Sequence, residues 1–394
     1  MKYLNLFAFA CSFVLTFLSL FSISAHSDWR AQMQVLRTQM EGLAPNLYSN
    51  SIEGPQQKDY VAKLKAMEKE VLKLDAELTN HTASAPDKDP TLPYMLKAFR
   101  RHISRSVESA EAGNYLYSRD LYRSGTAFCI ACHTRNSNGV HFPQSVTNQN
   151  FTGKNWLDRM LMLTSSRQFD EAISEFRTQL TASPKTDRSR GPEVRPIEVE
   201  KGARLALAIS LRVQNDPKLA KELVTLLKSS PMPSMTTKKL AETWANDIDT
   251  LNLIFKGDVG EAEALMNSAR KLIGEFADRE FVQGSPEADI KLMAVSQLMN
   301  ALLLKPSSKL LRAEAYFYLG IVNEAFSYLG LWSLHEIYYE ACIEELPHSA
   351  LAQKCLQRYK GSLTFEFAGS FAERLLPSVR AQIAKFEKLA DPKR

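Results

Sequence analysis

Apolar residues recur three and four positions apart along most of the chain, which is the spacing of one face of an α-helix. Four such stretches come first: about 28–43, about 57–80, a third that begins near Leu92 and a fourth that begins after the Gly113–Asn114 turn. The segments between them carry Gly, Pro and Asn, which interrupt helices. Because short loops make successive helices antiparallel neighbours, this part of the chain predicts a four-helix bundle.

The helical pattern continues beyond residue 150, after a polar stretch that is typical of a linker. Its first residues fit the spacing of one tetratricopeptide unit, a helix–turn–helix of about 34 residues: Trp156, Met160, Leu163, Phe169, Ala172, Phe176 and Pro184. A later group resembles a further unit with a three-residue insertion: Leu319, Gly320, Tyr339 and Pro347. We therefore predict an all-α fold in which a tetratricopeptide-like array over 151–394 follows the bundle. An ordinary helical bundle is the alternative.

The N-terminus has the pattern of a secretory signal peptide. Lys2 is followed by an unbroken apolar run from Leu4 to Ile23 and by small residues up to Ala25. This pattern predicts a signal peptide over 1–25, cleavage near Ala25 and a periplasmic mature protein. The apolar run is long for a signal, so an uncleaved membrane anchor is the alternative.

The remaining composition is that of an ordinary soluble protein with a mild positive charge. The formal charge of +5 falls to +4 when Lys2 leaves with the signal, and no long block of like charges is present. Such a chain does not indicate a nucleic-acid partner or an enzyme for acidic substrates. No Ser/His/Asp set, glycine-rich phosphate loop or supported carboxylate pair appears, so we expect a protein without catalytic activity.

One motif indicates specific chemistry, the sequence CIACH at 129–133. On a helix, positions i, i+3 and i+4 share a face, which places Cys129, Cys132 and His133 on one side. A c-type haem requires this arrangement: two thiols add to the two vinyl groups, and the imidazole binds the iron. We predict one covalently attached haem c with His133 as the proximal iron ligand.

Two other uses of the motif fit the sequence less well. A redox dithiol needs its cysteines at the start of a helix, where a thiol pKa is lowered, but here a helical segment leads into the motif. Structural zinc needs four ligands, and the nearest further cysteines, Cys342 and Cys355, come about 200 residues later. The predicted oxidising compartment also agrees with haem.

The position of the motif at the end of a fourth helix resembles the class II c-type cytochromes, the cytochrome c′ kind, over about 27–136. The whole chain is similar to periplasmic monohaem cytochromes that carry tetratricopeptide-like helices behind such a bundle. Two segments carry that similarity: "GNYLYSRDLYRSGTAFCIACHTR" and "EFAGSFAERLLP". The resemblance implies a four-helix haem domain with its linker over 26–150.

The distal side of the iron should be reached from the beginnings of the first and third helices. Met33 lies at the level of His133, and class II cytochromes that have a distal methionine take it from early in the first helix. We predict Met33 as the distal ligand; the alternatives are Met40, which lies deeper by seven residues, Met95, His102, which we expect on a polar face, His141 and an open position.

Two further site predictions concern charge and cross-linking. Cys342 and Cys355 are equally distant from the Pro347–His348 turn, which brings them level on two helices and predicts a disulfide. Arg135 follows the proximal histidine by two residues, and we expect it to contact a haem propionate.

These features predict electron transfer at a haem edge, with a redox partner protein bound at that edge or on the helical array. A haem-based sensor or small-ligand binder, with an open iron position, is one alternative. A scaffold in which haem is structural is another. A peroxidase is disfavoured because one haem offers no second electron store. A membrane contact is expected only if the signal segment stays attached.

Overall fold

The computed structural model describes residues 31–46, 51–81, 90–134, 155–181, 186–187, 191–192, 195–256, 260–279, 286–326, 334–366 and 377–392. The predicted signal peptide and the predicted linker lie outside these ranges, as do Arg135, His141 and Pro184. No helix in the described part of the chain combines the length and the hydropathy needed to cross a lipid bilayer.

The first four helices begin and end close to the predicted bounds. They are α1 at 31–46, α2 at Pro55–His81, α3 at Leu92–Glu111 and α4 at Tyr115–His133. Helices α2 and α3 pack on each other, as do α3 and α4. Because α4 ends at His133, the CIACH motif lies at its C-terminal end, as its position in the sequence predicted.

The array consists of further helices joined mostly by short turns. They are α5 at Trp156–Ser165, α6 at Phe169–Thr181, α7 at Pro196–Ala208, α8 at Pro217–Ser229, α9 at Met235–Thr250, α10 at Asn252–Phe255, α11 at Ala262–Ile273, α12 at Asp289–Leu303, α13 at Lys309–Ala325, α14 at Leu334–Glu345, α15 at Ala350–Glu366 and α16 at Pro377–Ala390. A π-helical turn, Ile209–Val213, extends α7. A two-residue antiparallel pairing, Thr186–Asp187 with Gly191–Pro192, was not predicted.

Helix pairs of the array touch where glycine removes a side chain. A Cβ atom on Gly202 of α7 would lie 2.5 Å from the ring of Trp156 on α5, so any larger residue would push the indole away. Gly320 of α13 makes the same kind of close approach to the ring of Tyr339 on α14. Trp156, Gly320 and Tyr339 belong to the repeat-like groups that the sequence pattern indicated, and the fold is the predicted all-α bundle with a repeat-like array.

The bundle and the array share one continuous hydrophobic core, although the sequence suggested separate units at 26–150 and 151–394. Helix α5 packs on α4, and α14 packs on α3. Arg101 of α3 donates to Glu340 of α14 at 2.9 Å, and the ring of Tyr94 lies 6.1 Å from that of Tyr316 on α13. The array therefore contacts the bundle at both the beginning and the end of its own length.

Candidate haem site

A pocket lies among the helices of the four-helix bundle and is partly open to solvent. Its walls are mostly apolar and come from α1 to α4 and from the end of α5: Met33, Leu36, Arg37, Met40, Met67, Leu74, Leu92, Met95, Leu96, Phe99, Phe128, Cys129, Cys132, His133, Ser165 and Ser166. Both cysteines and the histidine of the motif thus face the same apolar space.

The last turn of α4 holds these three side chains in place. The helix ends at His133, and Thr134 closes it by donating both its backbone N–H and its hydroxyl to the carbonyl of Ile130, each at 2.8 Å. Ile130 points into the core on the face opposite the cavity, because it is buried and does not line it. On this part of α4, Cys129 and Cys132 therefore face the cavity, and Ile130 faces the hydrophobic core.

A hydrogen bond sets the protonation pattern of His133. Its Nδ1 lies 2.7 Å from the carbonyl oxygen of Ser165, at the end of α5. Because a carbonyl only accepts, Nδ1 carries the proton and Nε2 is the nitrogen with a lone pair for a metal. Burial and the nearby Arg167 guanidinium lower the pKa of His133 to about 4, so the imidazole stays neutral. A neutral imidazole is the form that binds iron.

The Cys129 thiol is held in a protonated state that does not suit redox catalysis. Cys129 and Cys132 are not joined to each other. Burial, with a smaller contribution from Cys132, raises the pKa of Cys129 to about 12. The accessible area that Cys129 keeps belongs to the cavity wall. Catalytic dithiols need a lowered thiol pKa, which the Cys129 thiol does not have.

Three of the five side chains predicted for the distal position line the cavity. Met33 is half-buried near the start of the described part of α1, and Met95 is buried in the first turn of α3. Met40 packs in a small cluster with Ala44 and Met162, against Cys129. Met40 therefore packs next to Cys129, whereas Met33 and Met95 line the cavity outside this cluster.

His102 is placed differently from the sequence expectation. It is buried, and its Nε2 lies 2.8 Å from the Ser124 hydroxyl on α4, within hydrogen-bond reach of the Leu121 carbonyl as well. Burial lowers its pKa to about 4. It contacts the ring of Phe128 from the side away from the cavity, which it does not line. The expected polar-face position was wrong because α4 covers this face of α3.

Two arginines that the sequence analysis did not single out lie at the site. Arg37 lines the cavity from α1, is almost fully buried and pairs with Glu41 at 2.8 Å. Arg167, in the turn after α5, donates to the backbone carbonyl of His133 at 3.2 Å. The sequence signal for Arg37 was its position four residues after Met33, on the same helix face. For Arg167 there was none, because the fold of the array brings it to the motif.

The remaining site predictions fall elsewhere. Cys342 and Cys355 are joined in a disulfide between α14 and α15, across the Pro347–His348 turn. Arg135 lies outside the described residues, so its propionate contact stays a prediction. Within the described ranges, no group of three or more His, Cys, Asp and Glu side chains is placed to hold a metal ion. A haem iron takes no more than two ligands from the protein, since the porphyrin supplies the other four.

No protein-family model, curated protein or solved structure matches the chain. The resemblance to class II cytochromes therefore stays a prediction.

Proposed function

We propose that the chain is a periplasmic monohaem c-type cytochrome that carries single electrons. One observation carries the proposal: Cys129, Cys132 and His133 line one mostly apolar cavity, and the His133 tautomer leaves Nε2 for iron. Haem c, when bound there, would supply a one-electron centre. The apolar walls exclude water, and the disulfide Cys342–Cys355 agrees with an oxidising compartment.

The residues around the cavity would hold haem in three ways: by covalent bonds, by binding the iron and by pairing with a propionate. Cys129 and Cys132 would hold the macrocycle through thioether bonds, and His133 would bind the iron. Met33 would supply the second iron ligand, with Met95 as the alternative. Arg37 is the cation on the cavity wall, and it would pair with a haem propionate as predicted for Arg135. Each of these roles follows from the side chain's chemistry and its place on the wall.

Methionine and histidine ligation with apolar walls favours a raised reduction potential. A redox partner protein would exchange electrons at the haem edge. The array would provide the binding surface for such a partner, because stacked helical repeats form extended surfaces that are used in protein recognition. Its contacts with α3 and α4 would hold a bound partner at a fixed distance from the cavity.

A haem-based sensor is the second candidate, because the imidazole of His133 is hydrogen-bonded to the array through Ser165. A small ligand that binds the iron would act on the hydrogen bond between His133 and Ser165. An electron carrier has no use for an open iron position, whereas a sensor requires one. Whether reduced protein binds carbon monoxide promptly therefore distinguishes the two functions.

The test uses the haem-bearing full-length protein and three volume-conserving variants: Met33→Leu, Met95→Leu and Met40→Leu. Leucine keeps the apolar packing but removes the sulfur. We expect the oxidised parent to show a sulfur–iron charge-transfer band and the reduced parent to resist carbon monoxide. Only Met33→Leu should lose the band and bind carbon monoxide.

Met40→Leu is the matched control, since it removes a sulfur that packs next to Cys129. Loss of the band in Met95→Leu alone would move the distal ligand to α3. Prompt carbon monoxide binding by the parent would contradict the electron carrier and support the sensor.

A further inference from the structure

The turn between α5 and α6 has an unusual backbone and lies against the end of α4. Ser166, Arg167 and Gln168 are all buried, although turns normally lie in solvent. Arg167 adopts φ of 59°, a left-handed conformation that costs an arginine about 1 kcal/mol relative to glycine. Backbone hydrogen bonds hold the turn, among them Gln168 N–H to the carbonyl of Leu163 at 2.8 Å.

The conformation of this turn directs two polar groups at one residue of α4. The Ser165 carbonyl accepts from Nδ1 of His133 at 2.7 Å, and the Arg167 guanidinium donates to the His133 backbone carbonyl at 3.2 Å. The imidazole and the main chain of His133 are thus held by consecutive parts of one turn. A left-handed residue after α5 is what lets the chain reverse while Ser165 still faces the motif.

Arg167 also carries charge into the site. Its guanidinium is almost fully buried, lies 5.3 Å from the centre of the Phe169 ring and acts electrostatically on Cys132. A buried positive charge beside the proximal ligand disfavours the ferric ion, which carries one more positive charge than the ferrous ion. The carbonyl of Ser165 has the opposite effect, because accepting from Nδ1–H makes the imidazole a stronger donor to iron.

We propose that the α5–α6 turn is a positioning element of the haem site, in which Ser165 and Arg167 together orient His133 and set the reduction potential of the iron. The first helix pair of the array is then part of the cofactor site, in addition to any role in partner binding. This inference rests on the proposed haem attachment at Cys129 and Cys132.

The test separates the backbone of the turn from the charge of the guanidinium. Arg167→Gly removes the charge but keeps the left-handed turn, since glycine adopts φ > 0 freely. Arg167→Val removes the same charge and strains the turn, because a β-branched residue disfavours this conformation. The reduction potential is measured in the haem-bearing protein with Met33 in place. The Fe–His stretching frequency is measured with all variants and the parent in the reduced Met33→Leu background, because this band is observed from five-coordinate ferrous haem.

We expect Arg167→Gly to lower the potential through loss of the positive charge. The reduction potential of Arg167→Val should be higher than that of Arg167→Gly. In the valine variant the Ser165 carbonyl moves away from His133, so the imidazole donates less electron density to iron. The expected difference is about tenfold in the reduction equilibrium, or about 59 mV for one electron. The Fe–His frequency should be lower in Arg167→Val than in Arg167→Gly and the parent. If Arg167→Val yields no folded protein, Arg167→Ala replaces it with the same expected order.

Asn215 provides a matched control pair. It also has a positive φ, 50°, in the turn before α8, and it lies outside the cavity wall. Asn215→Gly and Asn215→Val should leave the potential and the Fe–His frequency unchanged. Equal values for Arg167→Gly and Arg167→Val, or an equal shift in the Asn215 pair, would overturn the proposal. A parent without haem would instead refute the proposed function, so the two failures are distinguishable.

Discussion

The bundle and the array contain the same reactive residue types in opposite settings. In the bundle, Cys129 and Cys132 lie three residues apart on one helix and line a mostly apolar cavity. In the array, Cys342 and Cys355 lie on two helices, closed into a disulfide inside a filled core. The bundle thus leaves space beside its thiols, and the array leaves none.

The buried charges of the two regions show the same difference. In the array, Glu324 accepts from Arg358 at 2.8 Å and from the Tyr339 hydroxyl, so the charges of this cluster satisfy one another. In the bundle, Arg37 lies on the wall of the cavity as well as beside Glu41. Residue type alone therefore does not distinguish the two regions; the presence of a cavity in the bundle does.

The largest expected effect is on haem attachment, and it should differ between the cysteines of the bundle and those of the array. Cys132→Ala should abolish stable double attachment of haem, whereas Cys355→Ala, which also removes one thiol from a cysteine pair, should leave the attached haem unchanged. Haem-stained denaturing gels of both variants, produced in cells with working cytochrome c maturation, measure this. Equal haem staining in the two variants would show that Cys132 is not needed for covalent attachment of haem.

The next effect concerns stability. Removing the disulfide by Cys342→Ser with Cys355→Ser frees a loop that spans 13 residues, which should lower the free energy of unfolding by about 3 kcal/mol. Urea unfolding followed by circular dichroism measures the change. The haem absorption spectrum should stay that of the parent. An unaltered unfolding midpoint would contradict the stabilising role of the bridge.

A smaller effect involves one buried histidine from each region. Burial lowers the pKa of both His102 and His335 to about 4. Between pH 6.5 and 4 the unfolded chain binds protons at these residues and the folded chain does not, so stability falls as the pH falls. Each should account for about 2 kcal/mol of the stability lost between pH 7 and pH 5.

His102→Gln and His335→Gln remove one titrating group each, so each variant should lose less stability than the parent over that interval. Urea midpoints at pH 7 and pH 5 test this. A pH dependence identical to that of the parent would refute the neutral, buried state of the substituted residue.

Local sequence patterns predicted the helices and the motif well, because apolar spacing and turn residues act over a few positions. The last turn of α4 and the level placement of Cys342 and Cys355 follow from such short-range rules. The Ser165 carbonyl and Arg167 did not, since they reach His133 only through the packing of α5 on α4. The buried position of His102 also depends on a neighbouring helix, and the shared core of bundle and array is a property of the whole fold.

The most direct test of the account is the mass and colour of the mature chain after denaturation. Protein from cells with cytochrome c maturation should keep its pigment through acid–acetone extraction, and its mass should exceed that of the polypeptide by one haem. A colourless chain with the unmodified polypeptide mass would contradict haem attachment at Cys129 and Cys132.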